Sequence, residues 1–129
     1  MIDVCCAIIV REDGCVLVAQ RGADQLLPLK IEFPGGKIEA GEQAEDCLLR
    51  EIKEELNLDI CIHKRMESHK HHYAGFSIHL IPFVCSITGG EIQMSVHQNC
   101  SWLMPGELPD LDWAEADVPL MRNYLKSLE

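Results

Sequence analysis

The sequence predicts a layered sandwich of strands and helices, of the α/β or α+β kind. Three observations carry this expectation. Short runs rich in Val, Ile and Cys recur between turn residues, residues 42–56 place apolar side chains at helical spacing, and residues 118–128 do so again. Strand-like and helix-like periods mixed along one chain specify layers packed on a shared core. The chain has 129 residues, 47% of them apolar and 25% charged. That suits a single globular domain over residues 1–129 and is too little for two ordinary ones.

Taken in order, Ile2 to Arg11 reads as a strand, Glu12-Asp13-Gly14 as a turn, and Cys15 to Arg21 as a second strand. Together they suggest a hairpin. Gly22 to Lys30 contains Pro28 and reads as a loop, and Ile31 to Phe33 as a short strand before Pro34-Gly35-Gly36. The clearest helix begins near Glu42 and runs to about Leu56, with Ala44, Leu48, Leu49, Ile52 and Leu56 repeating at close to 3.6 residues. Asn57 suits a left-handed terminus. His63 to His72 and Gly75 to Ile87 carry β-branched and aromatic residues, and Gly89-Gly90 ends them. Cys100 to Met104 reads as a strand, and Pro105 to Leu108 as the start of a short helix. Val118 to Leu128 is expected to be the last helix, with Leu120, Met121, Tyr124, Leu125 and Leu128 inward.

Composition excludes several classes of function. There are 21 Asp and Glu against 11 Lys and Arg, a formal net charge of −10. Duplex nucleic acid is therefore not an expected partner, because its backbone recruits basic surfaces. A polyphosphate remains possible if a divalent cation cancels the local repulsion. The seven cysteines are odd in number, form no CxxC pair and sit mostly among aliphatic residues. They read as small core residues in a reducing, cytoplasmic compartment. The N-terminus lacks the shape of a signal peptide, and no apolar run approaches 18 residues, so no membrane span is expected.

Seven acids fall between Glu39 and Glu55: Glu39, Glu42, Glu45, Asp46, Glu51, Glu54 and Glu55. Only Arg50 and Lys53 oppose them. At roughly 100° per residue, Glu51 and Glu55 lie one turn apart, with Glu54 beside them, off the apolar stripe. Like charges so spaced destabilise a helix by roughly 0.2–0.5 kcal/mol per pair. A hard cation reverses that sign, since Mg²⁺ takes oxygen ligands and shares them with phosphate. The plainer alternative is a solvated acidic face. Gly35 and Gly36 permit a tight backbone path before the helix, which can bring a carbonyl close to a metal. Glu42 sits near the helix start, where a carboxylate is favoured, and Arg50 offers fixed-geometry donors to its neighbours.

The segment from Gly36 to Leu58 resembles the Nudix box: Gly, five residues, Glu, seven residues, Arg-Glu, an aliphatic, one residue, Glu-Glu, one residue, Gly, an aliphatic. Gly36, Glu42, Arg50, Glu51, Ile52, Glu54, Glu55 and Leu58 match, and Asn57 stands where the pattern has Gly. Asn is a ready substitute at a left-handed position. Ile31-Glu32-Phe33-Pro34-Gly35-Gly36-Lys37, the loop with Arg21 and Asp24, Trp102, and Ala116-Asp117-Val118-Pro119-Leu120 are similar to the MutT-type branch.

The resemblance implies an α/β/α sandwich around a mixed sheet and Mg²⁺-dependent hydrolysis of nucleoside diphosphate linkages, with Mn²⁺ as a possible substitute. A nucleoside triphosphate would leave as monophosphate and pyrophosphate. The favoured substrate is 8-oxo-dGTP, in nucleotide-pool sanitation. CTP, dCTP and other nucleoside diphosphate derivatives are the enzymatic alternatives, and a non-enzymatic nucleotide sensor is a further one. Metal ligands are expected at Glu51, Glu55 and Glu54 and at the Gly36 carbonyl. Glu54 is expected either as a ligand or as the group that orients water, Arg50 as the residue that orients carboxylates, and Glu42 as a ligand or a supporting partner. Arg21, Lys37 and Asp117 are candidates for substrate binding, with a helix-capping role the alternative for Asp117. Relatives often carry Glu before His ahead of the Trp strand; here the pair is Val96-His97, so the box acids act alone or with His97. His69, His71, His72 and His79 show no evident carboxylate partner, which argues against a metal role. A small-molecule nucleotide is the expected partner, and a monomer the expected state, with a dimer left open.

Overall fold

The structure is a computed structural model that describes residues 1–97 and 99–129 in full and Gln98 by its backbone. The elements in chain order are β1 (Ile2–Ile9), β2 (Val16–Arg21), β3 (Ile31–Glu32), β4 (Gly35–Lys37), α1 (Ala44–Leu56), β5 (Leu58–Arg65), β6 (His69–Tyr73), β7 (Phe76–Gly90), β8 (His97–Leu103) and α2 (Val118–Ser127). Two short 3₁₀ turns, Pro105–Asp110 and Glu115–Asp117, link β8 to α2.

The strands form two sheets. One is mixed, with the order β4-β1-β7-β5 and β6 also paired to β7; the other runs β3-β2-β8 and is antiparallel. β1 lies at the centre of the first, antiparallel to β4 and parallel to β7. The expected β1–β2 hairpin therefore does not form a ladder. A turn is present, since the Arg11 amide donates to the Cys15 carbonyl at 2.9 Å, but pairing stops at a single Val10–Val16 bridge. Both edges of β1 are already taken, so β2 pairs elsewhere.

Alternation along β1 feeds two cores. Cys5, Ala7 and Ile9 join Cys47, Leu48, Ile52 and Leu56 of α1, whereas Cys6 and Ile8 join Leu120, Met121 and Tyr124 of α2. A strand buried on both faces reads as a continuous apolar run, as this one does. The result is a sheet layer between two helices, the expected α/β/α sandwich. No helix among the described residues is long and apolar enough to cross a membrane.

Several details differ from expectation. α1 starts at Ala44, with Gln43 as its cap, because Glu39 to Glu42 is taken up by a turn closed by the Glu42 amide on the Glu39 carbonyl. Leu49 is 42% exposed, and Cys47 takes its place in the core. The two flank the apolar stripe on opposite sides, and the helix is rolled toward Cys5, whose thiol lies 3.1 Å from that of Cys47. Leu128 lies past the end of α2 and is exposed. Asn57 does adopt the left-handed conformation, with φ 59° and ψ 36°.

Candidate active site

The acids of α1 face the turn that joins β3 to β4. A Cβ on Gly36 would collide with the Glu51 carboxylate, so only glycine lets that side chain settle against the strand. Gly35 is equally constrained, since its Cβ would run into the Cys5 backbone of β1. The Gly36 carbonyl is reached by the Cys5 thiol at 3.5 Å and the Cys47 thiol at 3.9 Å.

Arg50 organises the cluster. Its Nε and Nη2 donate to the two oxygens of Glu42 at 2.8 and 2.9 Å, and its Nη1 donates to Glu51 at 2.9 Å and Glu54 at 3.3 Å. Paired donors of this kind fix a carboxylate in place. The Glu42 carboxylate also accepts from the Glu39 amide, and together these bonds hold its carboxyl down to about 2. At neutral pH Glu42 is therefore ionised and tied to Arg50.

Glu55 has the opposite character. Its Oε2 is buried and has no partner among the described residues. Burial, and then the charges of Glu51, Glu32 and Glu54, push its carboxyl up to about 9. A buried unpaired carboxylate is costly and needs either a proton or a cation. No three His, Cys, Asp or Glu side chains among the described residues gather into a cation site. The available donors nonetheless suit a hard divalent ion: all are oxygens, one carboxylate oxygen is unpartnered, and a glycine clears the space beside another.

A cleft of about 330 Å³ opens from this cluster. Glu55, Gly36 and Lys37 line one end; Arg21, Glu32, His97, Phe33, Tyr73, Phe76 and Asp117 line the rest. The structure thus brings Arg21, Lys37 and Asp117 to one cavity. Asp117 is buried, and its Oδ2 accepts from the Phe33 amide at 2.9 Å. It sits at the start of α2 without making a side-chain cap, so the capping alternative is not what is observed. Burial first, and the charge of Glu32 second, push its carboxyl up to about 8.

Sequence reasoning missed Glu32 as a member of the site. Its Oε1 accepts from Arg21 Nη1 at 2.8 Å, and its Oε2 lies 2.8 Å from His97 Nε2. His97 is buried. Val96 lines the cleft, so no acid enters from that position. Among the described residues, none of the remaining histidines is hydrogen-bonded to an acid of α1. His71 and His79 do meet carboxylates, Glu115 and Asp3, each at 3.2 Å, contrary to the sequence expectation, but no metal cluster forms among the described residues.

A helix carrying an Arg-ordered acid cluster beside a glycine turn, with a cleft running away from it between two sheets, defines a phosphate-handling hydrolase fold. A family model described as "NUDIX domain" matches residues 5–123. The chain belongs to the Nudix family and is a pyrophosphohydrolase; that membership implies use of a divalent cation. The chain is 36% identical over 125 residues to a protein named "CTP pyrophosphohydrolase" from Escherichia coli (strain K12), covering 97% of this chain and 92% of the other. It is also 36% identical over 124 residues to a "Putative 8-oxo-dGTP diphosphatase 2" from Mycobacterium tuberculosis (strain CDC 1551 / Oshkosh), covering 89% and 83%. Among solved structures, the solution structure of the E. coli ORF135 protein superposes with a TM-score of 0.84 at 34% identity, covering 98% and 89%.

Proposed function

We propose that the protein hydrolyses nucleoside triphosphates to monophosphate and pyrophosphate with Mg²⁺ as cofactor, and that it selects the base through Asp117. Glu51 and Glu55, with Glu54 and the Gly36 carbonyl, hold the cation. A bound divalent cation supplies positive charge to the phosphoryl oxygens and raises the acidity of attacking water. Arg50 keeps Glu51 and Glu54 in place and moves no proton. Glu54, the most exposed of the three acids, orients water. Lys37 and Arg21 contact phosphate or the nucleoside.

The observation that carries the base assignment is the buried Asp117 carboxyl, bonded at one oxygen by the Phe33 amide and raised to about 8. Near pH 7 it is largely protonated, so it offers a donor beside an acceptor. The matching base edge is an acceptor beside a donor. Oxidised guanine has that pair at O6 and N7–H, whereas ordinary guanine shows two acceptors there. We assign 8-oxo-dGTP, as in nucleotide-pool sanitation, for a base read at O6 and N7; at O6 and N1–H the two guanines present the same pair. Cytosine presents the same pair at N3 and N4, and the E. coli relative is named for CTP, so cytosine nucleotides are the second reading.

The experiment is a steady-state comparison of 8-oxo-dGTP, dGTP, dCTP, CTP and 5-methyl-dCTP, with a sugar nucleotide as outgroup, read by pyrophosphate release. A kcat/KM ratio of about tenfold or more for 8-oxo-dGTP over dGTP supports the first reading. Equal rates on the two, with faster cytosine turnover, replace it with the second. Glu51→Gln should lower turnover by orders of magnitude in a folded protein, and ordinary activity in excess chelator would refute the metal assignment.

A further inference from the structure

His97 is more deeply set than its place at the start of β8 suggests: its side chain is 2% exposed. Nε2 lies 2.8 Å from Glu32 Oε2, so that nitrogen carries the hydrogen and donates to the carboxylate. Nδ1 is buried without a partner among the described residues, which leaves Glu32 as the side chain's polar connection. Glu32 takes Arg21 Nη1 on its other oxygen at 2.8 Å, and Arg21 Nε donates to the Leu26 carbonyl at 2.6 Å. A chain of charge-assisted bonds therefore runs from β8 through β3 to β2 and into the loop at residues 22–30.

The backbone is shaped to allow this chain. The β2–β8 register shifts between Gln20 and Arg21, so that Arg21 stands opposite His97. Unbroken pairing from Gln20–Asn99 would set it opposite residue 98. Such irregularities re-aim side chains beside functional sites. The loop itself is under tension, because Leu27 and Leu29 hold positive φ of 52° and 62° without being glycine. Its ends are tied by backbone bonds between Arg21 and both Leu29 and Lys30. Gln25, Leu26 and Leu27 of this loop form a wall of the cleft, and Arg21 faces the same space.

We propose that His97 is a positioning residue: through Glu32 it fixes the Arg21 guanidinium, and with it the 22–30 loop, in the arrangement that receives the nucleoside end of the substrate. This rests on the nucleotide reading above and adds a residue to it. His97 itself takes no part in the hydrolytic step. Its loss leaves a Glu32 oxygen unpaired, frees Arg21 to swing, and releases the strained loop, all of which weaken ground-state and transition-state binding alike. Such uniform weakening raises KM and spares kcat.

The test compares His97→Phe, which keeps a ring and removes the donor, with His97→Gln, which keeps an N–H near the Nε2 position. On the preferred triphosphate of the panel above, His97→Phe is expected to raise KM about tenfold and lower kcat less than about threefold. His97→Gln is expected to bring KM back to within about threefold of wild type. In an Arg21→Ala background His97→Phe should add no further rise, since the two changes cut one chain. An unchanged KM in His97→Phe, an effect confined to kcat, equal losses in both variants, or additive effects with Arg21→Ala overturn the proposal. Should His97→Phe prove insoluble, Glu32→Leu, which offers no polar atom to either neighbour, cuts the same chain one link later and must give the same KM rise. A wild type that releases pyrophosphate from no nucleotide in the panel overturns the functional reading as well; an active wild type with an unchanged KM in His97→Phe overturns this inference alone.

Discussion

At the scale of single residues, the base-reading role proposed for Asp117 ties protonation to selectivity. Burial first, and the charge of Glu32 second, raise its carboxyl from the ordinary 3.8 to about 8, against the smaller downward pull of the Phe33 amide and Arg21. The folded state therefore favours the proton. Its stabilising contribution is complete below about pH 4 and is lost as pH rises through about 8. The same ionisation removes the donor that meets an acceptor on the base. The ratio of kcat/KM for 8-oxo-dGTP over dGTP should thus fall between pH 7 and 9, whereas Asp117→Asn, whose amide keeps a donor, should show a flat ratio. Taking the ratio cancels any pH effect on hydroxide supply common to both substrates. Legibility in the sequence follows from separation along the chain. Glu51 and Glu55 are one helical turn apart, so their convergence can be read from spacing alone. Glu32 and His97 are 65 residues apart, and Phe33 and Asp117 are 84 apart, so those meetings depend on how β3, β8 and α2 pack. Asp117 was reachable only by resemblance, and Glu32 gave no local signal beyond its place in the Ile31–Lys37 stretch.

At the scale of elements, β4 and α1 form one device, and its two glycines serve different ends. A methyl at Gly35 meets main chain of β1, which cannot move aside without breaking the β1–β4 pairing. Gly35→Ala should cost on the order of 2 kcal/mol of stability, measured by denaturant unfolding. The atoms nearest a methyl at Gly36 are those of the Glu51 carboxylate, the far end of a flexible side chain. Gly36→Ala should remain close to wild type in unfolding but lose at least about tenfold in kcat, because it displaces an acid proposed to hold the cation. Equal stability losses in the two variants would show that the clearance at Gly36 serves packing rather than Glu51. The helix itself was legible from periodicity, to within two residues at its start. The pairing of β1 was not: the Glu12-Asp13-Gly14 turn is real, but a local turn signal does not reveal that both edges of β1 are claimed by β4 and β7.

At the scale of the whole molecule, the net charge of −10 opposes a polyanionic ligand before any contact is made. Without a divalent cation, binding of a non-hydrolysable triphosphate analogue should tighten as NaCl is raised from low to physiological levels, since screening relieves repulsion. A ligand drawn in by basic residues would show the reverse, so titration in chelator at two salt concentrations decides the matter. The sandwich class was legible because alternating periods specify layers, but the division of strands into two sheets was not, since it depends on long-range pairing. That division gives the cleft a mechanical property. Gly36 and Lys37 belong to the β4-β1-β7-β5 sheet, whereas Arg21, Glu32 and His97 belong to β3-β2-β8. The two sheets are stitched internally by their own ladders, and a nucleotide lying in the cleft touches both. Such a ligand would act as a rivet across a seam: occupancy should slow amide hydrogen exchange along the short β3-β2-β8 sheet as well as along β4, and product release should restore the faster exchange of both.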